Sequence, residues 1–190
     1  QYPISESALI QPQTPYALTK HLGEQLVLNW AETYRLPALS LRLFNVFGPR
    51  LCMTGPYPSV FGTFLSQKLK GEPLTIVGDG SQTRDFIYVS DVAEAFYIAA
   101  KSNFSNESMN VGSGCSYSIH SLAELFGGPV IHIPKRSGEV DCSLADVEKI
   151  HKKLSWKAKV SFEEGVYRIL EEFFPLGSKH LIGGYEPVKD

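Results

Sequence analysis

The sequence predicts an α/β fold built on parallel strands. Three observations predict it. Pro15 to about Tyr34 carries helical spacing, and after the short link Leu36-Pro37 the run Ala38–Val46 reads as a strand with Leu39, Leu41 and Leu43 on one side. Helical and strand-like stretches then keep alternating along the chain, which favours a parallel sheet. A hydrophobic content of 43% with 20% charged residues is that of a globular protein with a buried core.

Each element has a local reason. Thr14 is placed as the N-cap of the first helix and Pro15 suits its first turn. Its apolar stripe is Ala17, Leu18, Leu22, Leu26 and Trp30. Phe47-Gly48-Pro49-Arg50 turns at the end of the strand, and the Gly/Pro-rich stretch 51–59 is a loop. Val60, Phe61, Phe64, Leu65 and Leu69 space as a helix closed by Gly71. Leu74–Val77 is a strand, residues 78–82 turn, and Arg84–Val89 is a second strand. Ser90 or Asp91 is placed to cap a helix reaching about Lys101. Met109–Val111 is strand-like, Ser118 opens a helix to Phe126, and Pro129–Pro134 is a strand. Asp146 is placed to cap a helix to Leu154. Ser161 and Glu164 form a capping-box pattern before a helix to Phe174.

The 190 residues suit one ordinary domain. A net charge of -2 gives no electrostatic case for nucleic acid. No apolar run approaches the length of a membrane span, and the first residues have no signal-peptide pattern. Cys52, Cys115 and Cys142 are scattered and form no C-x-x-C, so a disulfide scaffold or structural zinc is not expected, and a cytoplasmic location is. The five histidines lack metal-ligand spacing, so no metal is expected.

Tyr16 and Lys20 stand four apart on the first helix, so they share a face. An ammonium beside a phenol favours the phenolate and makes it a usable proton acceptor. Alone, such a pair is common among packed tyrosines and surface lysines. Three further features follow it in order. They are Arg42–Arg50 (RLFNVFGPR), Gly78–Ala95 (GDGSQTRDFIYVSDVA), and Arg136–Glu139 followed by Ala145-Asp146.

These four features together resemble the NAD-dependent epimerase/dehydratase group of extended short-chain dehydrogenase/reductases, and within it the UDP-glucose and UDP-N-acetylglucosamine 4-epimerases. The resemblance runs from about Tyr2 to Phe174. It implies the C-terminal part of a Rossmann-like parallel sheet in residues 1–50. Residues 51–174 would be a smaller α/β substrate-binding region with segments returning to that sheet, and 175–190 a tail. It implies Tyr16 as base for the sugar 4-hydroxyl and Lys20 as its neighbour on the nicotinamide ribose. Phe44 and Val46 would border the nicotinamide of NAD. Asn45 would contact the sugar or its phosphate, and Leu74, Thr75 and Ile76 would flank the nucleotide base. Arg84 and Arg136 would grip the diphosphate, which suits the planar fork of arginine. By register from Arg136, Ser143 falls where a pocket wall limits the sugar, and a small residue there leaves room for an N-acetyl group. Arg42 and Arg50 are equally well read as salt-bridge partners. A nucleotide-sugar substrate, transient C4 oxidation and a homodimer formed partly through the Tyr16 helix are the further implications.

Two family features are not in the 190 residues: the Gly-x-x-Gly-x-x-Gly dinucleotide cradle, and the Ser or Thr upstream of the tyrosine helix. Ser5 and Ser7 read as loop residues beyond that site. The chain therefore reads as the later part of a longer polypeptide, with little turnover expected by itself and an apolar sheet edge left open. Sister activities share the scaffold, namely 4,6-dehydration of an NDP-sugar and decarboxylation of UDP-glucuronate. A non-catalytic nucleotide-sugar-binding subunit is the reading from another class.

Overall fold

A computed structural model describes residues 2–53, 59–135 and 140–175. The expected tail lies outside them, apart from Pro175. The elements run α1 (Pro15–Tyr34), β1 (Leu39–Leu43), β2 (Asn45–Phe47), α2 (Val60–Lys70), β3 (Leu74–Val77), β4 (Thr83–Arg84), β5 (Phe86–Tyr88) and α3 (Val89–Lys101). They continue with β6 (Glu107–Val111), β7 (Tyr117–Ser118), α4 (Ile119–Phe126), β8 (Val130–Ile133), α5 (Glu148–Leu154) and α6 (Phe162–Phe173).

Three strand pairs are parallel: β1 with β6, β2 with β5, and β3 with β8. The small pair β4–β7 is antiparallel. The predicted α/β class with parallel strands is thus what the chain adopts. The single strand expected over 38–46 is divided, because its partner changes. Phe44 N–H donates to Val111 O at the end of the β6 ladder, and Asn45 N–H donates to Asp85 O at the start of the β5 ladder. The strand expected over 84–89 divides for the same reason. Arg84, with Thr83 before it, pairs with β7, Phe86–Tyr88 pair with β2, Asp85 is left between them, and Val89 already begins α3.

Most helix starts obey their local signals. Thr14, Ser59, Ser118 and Ser161 each accept a backbone N–H of the first turn. Gly71 closes α2 at φ 69°, a left-handed conformation that glycine adopts without cost. Two expected caps differ. α3 starts at Val89 without a side-chain cap, and Asp91 is instead buried, accepting the N–H groups of Lys159 and Val160 at 3.0 Å each. α5 starts at Glu148, with Asp146 Oδ1 still accepting its N–H at 2.9 Å.

The face that α1 turns inward is not the expected stripe. Ala17, His21, Glu24, Leu28 and Ala31 are its shielded residues, at the i, i+4, i+3 spacing of one helix face. Leu18, Leu22, Leu26 and Trp30 are exposed. A polar contact fixes this rotation: Arg42 of β1 forks onto Glu24 of α1.

Two cores lie among the described residues. One joins Phe47, Phe61, Phe64, Phe86, Tyr88, Phe126 and Phe162 with residues of α4 and α6. Its rings stack, with centroids 4.4 Å apart for Phe47–Phe61 and 5.3 Å for Phe86–Phe162, geometry worth about 0.5–1.5 kcal/mol per pair beyond burial. The other joins Ile87, Val92, Ala95, Met109, Val111, Ile150 and Trp156 beneath β1 and β6.

Candidate functional site

The expected pair, Tyr16 and Lys20, sits on the first turns of α1, held by the Thr14 cap and the Pro15 start. Tyr16 is 71% exposed. Lys20 Nζ lies 5.3 Å from the centre of the Tyr16 ring, so the ammonium covers the aromatic face as the four-residue spacing requires. Thr19 Oγ1 donates to Tyr16 O at 2.8 Å within the same turn.

A second group forms where the long strand changes partner. In open α/β sheets the crevice beyond the strand ends at such a point receives ligands. Asn45 opens β2 there, and its amide Nδ2 donates to Asp85 O at 3.1 Å and lies 3.5 Å from Ser143 Oγ. Ser143 belongs to a short crosspiece, 141–145, stitched to Thr83 on one side and to Ile4 on the other. Thr83 N–H donates to Asp141 O, Ser143 N–H donates to Thr83 O, and Ile4 N–H donates to Leu144 O. Arg84 follows Thr83 on β4, opposite Tyr117, and is half-buried. Its Nη1 donates to Thr83 O at 2.8 Å.

The two groups are linked through β1. Arg42, three residues before Asn45, donates from Nε and Nη2 to Glu24 of α1 at 2.8 and 2.7 Å, and from Nη1 to Glu6 O at 3.0 Å. Arg42 is therefore the structural partner that one reading of the sequence allowed. Its hydrogen bond holds the Glu24 carboxyl below the usual carboxylate range.

The other expected site residues divide by face. Leu74 and Ile76 point into the aromatic core, and their main chain pairs with β8, Leu74 N–H donating to Pro129 O at 2.8 Å. Thr75 points away from that core, but its N–H and hydroxyl are both bonded to the Gln67 side chain, at 3.0 and 2.7 Å. Phe44 is half-buried, and Val46 packs against the second core. Arg136 lies outside the described residues.

Sequence reading missed Asp85. It is fully buried, and its carboxylate accepts four hydrogen bonds from Ser113, Gly114 and Ala145. Burial pushes the carboxyl upward, and those four donors pull it partly back. The available signal was one acid inside an otherwise apolar strand.

Among the described residues, no three His, Cys, Asp or Glu side chains are grouped to hold a metal. No described helix is long and apolar enough to cross a membrane.

The sequence pattern of the NAD dependent epimerase/dehydratase family matches residues 1–112. A putative UDP-glucose 4-epimerase of Methanocaldococcus jannaschii is 35% identical over 174 residues, covering 88% of this chain and 56% of that protein. Two solved structures superpose closely. The UDP-N-acetylglucosamine 4-epimerase of Methanobrevibacter ruminantium, in complex with UDP-N-acetylmuramic acid, has a TM-score of 0.85 and 36% identity over 90% of this chain and 57% of that one. The UDP-glucose 4-epimerase of Thermotoga maritima, with UDP-glucose, has a TM-score of 0.84 and 34% identity over 91% of this chain and 57% of that one. The chain thus spans a little over half the length of these relatives. With its four motifs in order and the family pattern matched over most of its length, the chain belongs to the NAD-dependent epimerase/dehydratase family.

Proposed function

We propose that the protein carrying this chain is a nucleotide-sugar 4-epimerase, acting on a UDP-hexose or UDP-N-acetylhexosamine with NAD as cofactor. One observation carries the reading. Asn45 and Ser143, far apart in sequence, come within 3.5 Å at the partner switch, beside the strand of Arg84. That is the arrangement a sugar pocket next to a diphosphate grip needs.

In this reading Tyr16 takes the proton of the sugar 4-hydroxyl and later returns one. Lys20, already on the ring face, balances the charge that the phenol acquires. Arg84 and Arg136 hold the diphosphate, so the sugar can turn over while its anchor stays fixed. Asn45 offers its amide to the sugar or the adjoining phosphate. The short strand of Leu74, Thr75 and Ile76 flanks the base. Ser143 leaves space at the sugar wall, which favours tolerance of an N-acetyl group. When bound, NAD supplies the acceptor and donor for the C4 hydrogen. The residues here fit its nicotinamide end: Tyr16 and Lys20 present an open face, Phe44 lies at the break between β1 and β2, and Val46 follows on β2. The glycine-rich cradle for its diphosphate is not among the 190 residues.

The exposed stripe of Leu18, Leu22, Leu26 and Trp30 supports a homodimer through α1. The scattered cysteines support a cytoplasmic location. The two separate cores support a division into a sheet portion, 1–50 with later segments returning to it, and a substrate region within 51–174. Titration calorimetry with UDP, UDP-glucose and UDP-N-acetylglucosamine tests the assignment. Binding of the sugar nucleotides is expected, and a chain that binds none of the three contradicts it.

A further inference from the structure

Asp85 is buried between Asn45 and the crosspiece and is bonded to both. Its Oδ1 accepts Ser113 N–H and Ser113 Oγ–H at 2.7 Å each, and its Oδ2 accepts Gly114 N–H at 3.1 Å and Ala145 N–H at 3.0 Å. Its main-chain oxygen accepts both the N–H of Asn45, at 3.0 Å, and the Asn45 side-chain amide, at 3.1 Å. Ala145 is two residues from Ser143, whose own N–H is held by Thr83, two residues before Asp85. One residue therefore holds both partners of the Asn45–Ser143 contact.

We propose that Asp85 is a positioning residue of the sugar pocket: its carboxylate fixes the crosspiece that carries Ser143 while its carbonyl fixes Asn45, so the placement of these two side chains relative to each other is set at one point. The inference rests on the sugar-binding reading above. A buried carboxylate is a poor choice for stability alone, since apolar packing of similar volume often serves as well. It is a good choice where several N–H groups must converge on two oxygens. An asparagine cannot replace it, because its NH₂ would face two donors in place of an acceptor. The cradle is also tight: a Cβ on Gly112 would stand 2.7 Å from Asp85 Oδ2 and 2.6 Å from Ala145 Cβ.

Two measurements on Asp85→Asn test this. The first is amide hydrogen exchange without ligand. Exchange at Asn45, Ser143 and Ala145 is expected to rise about tenfold or more, while the β3–β8 pair at Leu74–Val77 is unchanged. Unchanged exchange at Asn45 and Ser143, or a uniform rise throughout, overturns the proposal. The second compares ligands. Affinity for UDP-N-acetylglucosamine is expected to fall about tenfold, with affinity for UDP alone changed less than about threefold. An equal fall for both also overturns it, because a merely structural role weakens both alike. If the unaltered chain binds neither ligand, the functional reading fails and the exchange pattern alone decides the positioning claim. Ser113→Ala, which removes only one hydroxyl donor, is expected to give the same exchange pattern at smaller amplitude if Asp85→Asn does not fold.

Discussion

Arg42 and Glu24 form a two-pronged ion pair, Nε to Oε2 at 2.8 Å and Nη2 to Oε1 at 2.7 Å, between β1 and the helix that bears Tyr16. Ser40 Oγ adds a weaker contact to the same carboxylate at 3.3 Å. The pair is well shielded on the glutamate side, so it orients α1 more firmly than an exposed ion pair would.

This pair makes stability depend on acid. The Glu24 carboxyl is lowered by its bond to Arg42. Its contribution is therefore full above the ordinary glutamate value of 4.5 and is lost as the pH falls below that, through the folded-state value. Glu24→Gln is expected to cost about 1–2 kcal/mol near neutral pH. Thermal melts across the acid range check this. The difference between the two proteins should shrink below the ordinary glutamate value, and a gap that stays constant with pH contradicts the argument.

Tyr16→Phe removes only a hydroxyl from an exposed ring. Stability should change by less than about 0.5 kcal/mol. In a polypeptide that also carries the cofactor-binding half, turnover should fall by about 10²–10⁴-fold with sugar-nucleotide affinity retained. Parallel melts, calorimetry and kinetics separate these effects. Retained turnover removes Tyr16 from its assigned role.

Ser143→Tyr fills the space beside Asn45. UDP-N-acetylglucosamine affinity should drop at least about tenfold, while UDP-glucose affinity changes little. Equal loss of both ligands would mean that the position does not discriminate the acetyl group.

Gly165 of α6 lies against the aromatic core, where an added Cβ would stand 2.6 Å from Phe47 Cζ and 2.9 Å from Tyr88 Cδ2. Alanine gains about 1 kcal/mol in helix propensity. Overpacking two buried rings costs about 1–3 kcal/mol, and the close contacts place this site at the upper end. Gly165→Ala is expected to lower the melting temperature by several degrees, at about 2–4 °C per kcal/mol for a chain of this size. A rise in melting temperature would show that the rings yield easily.

Features set by near neighbours were legible in the sequence. Thr14, Ser118 and Ser161 cap the helices they were expected to cap, because each bond spans three residues. Features set by distant partners were not. The break at Phe44 follows from which of β6 and β5 lies alongside, and no local signal marks it. The inward face of α1 was misjudged because apolarity favoured Leu18, Leu22 and Leu26, whereas the charged pair at Glu24 turns the helix the other way. In the candidate site, motif order pointed to Asn45 and Ser143, but not to the buried acid that joins them. Asp85 has its meaning only once Ser113 and Ala145 are brought to it.

β5 is three residues long, yet it serves both cores. Phe86 and Tyr88 enter the aromatic one, and Ile87 enters the aliphatic one on the opposite side. A single deletion or insertion within it would send each ring to the wrong compartment at once. The strand is thus a hinge pin shared by two halves, and neither half can loosen there without the other.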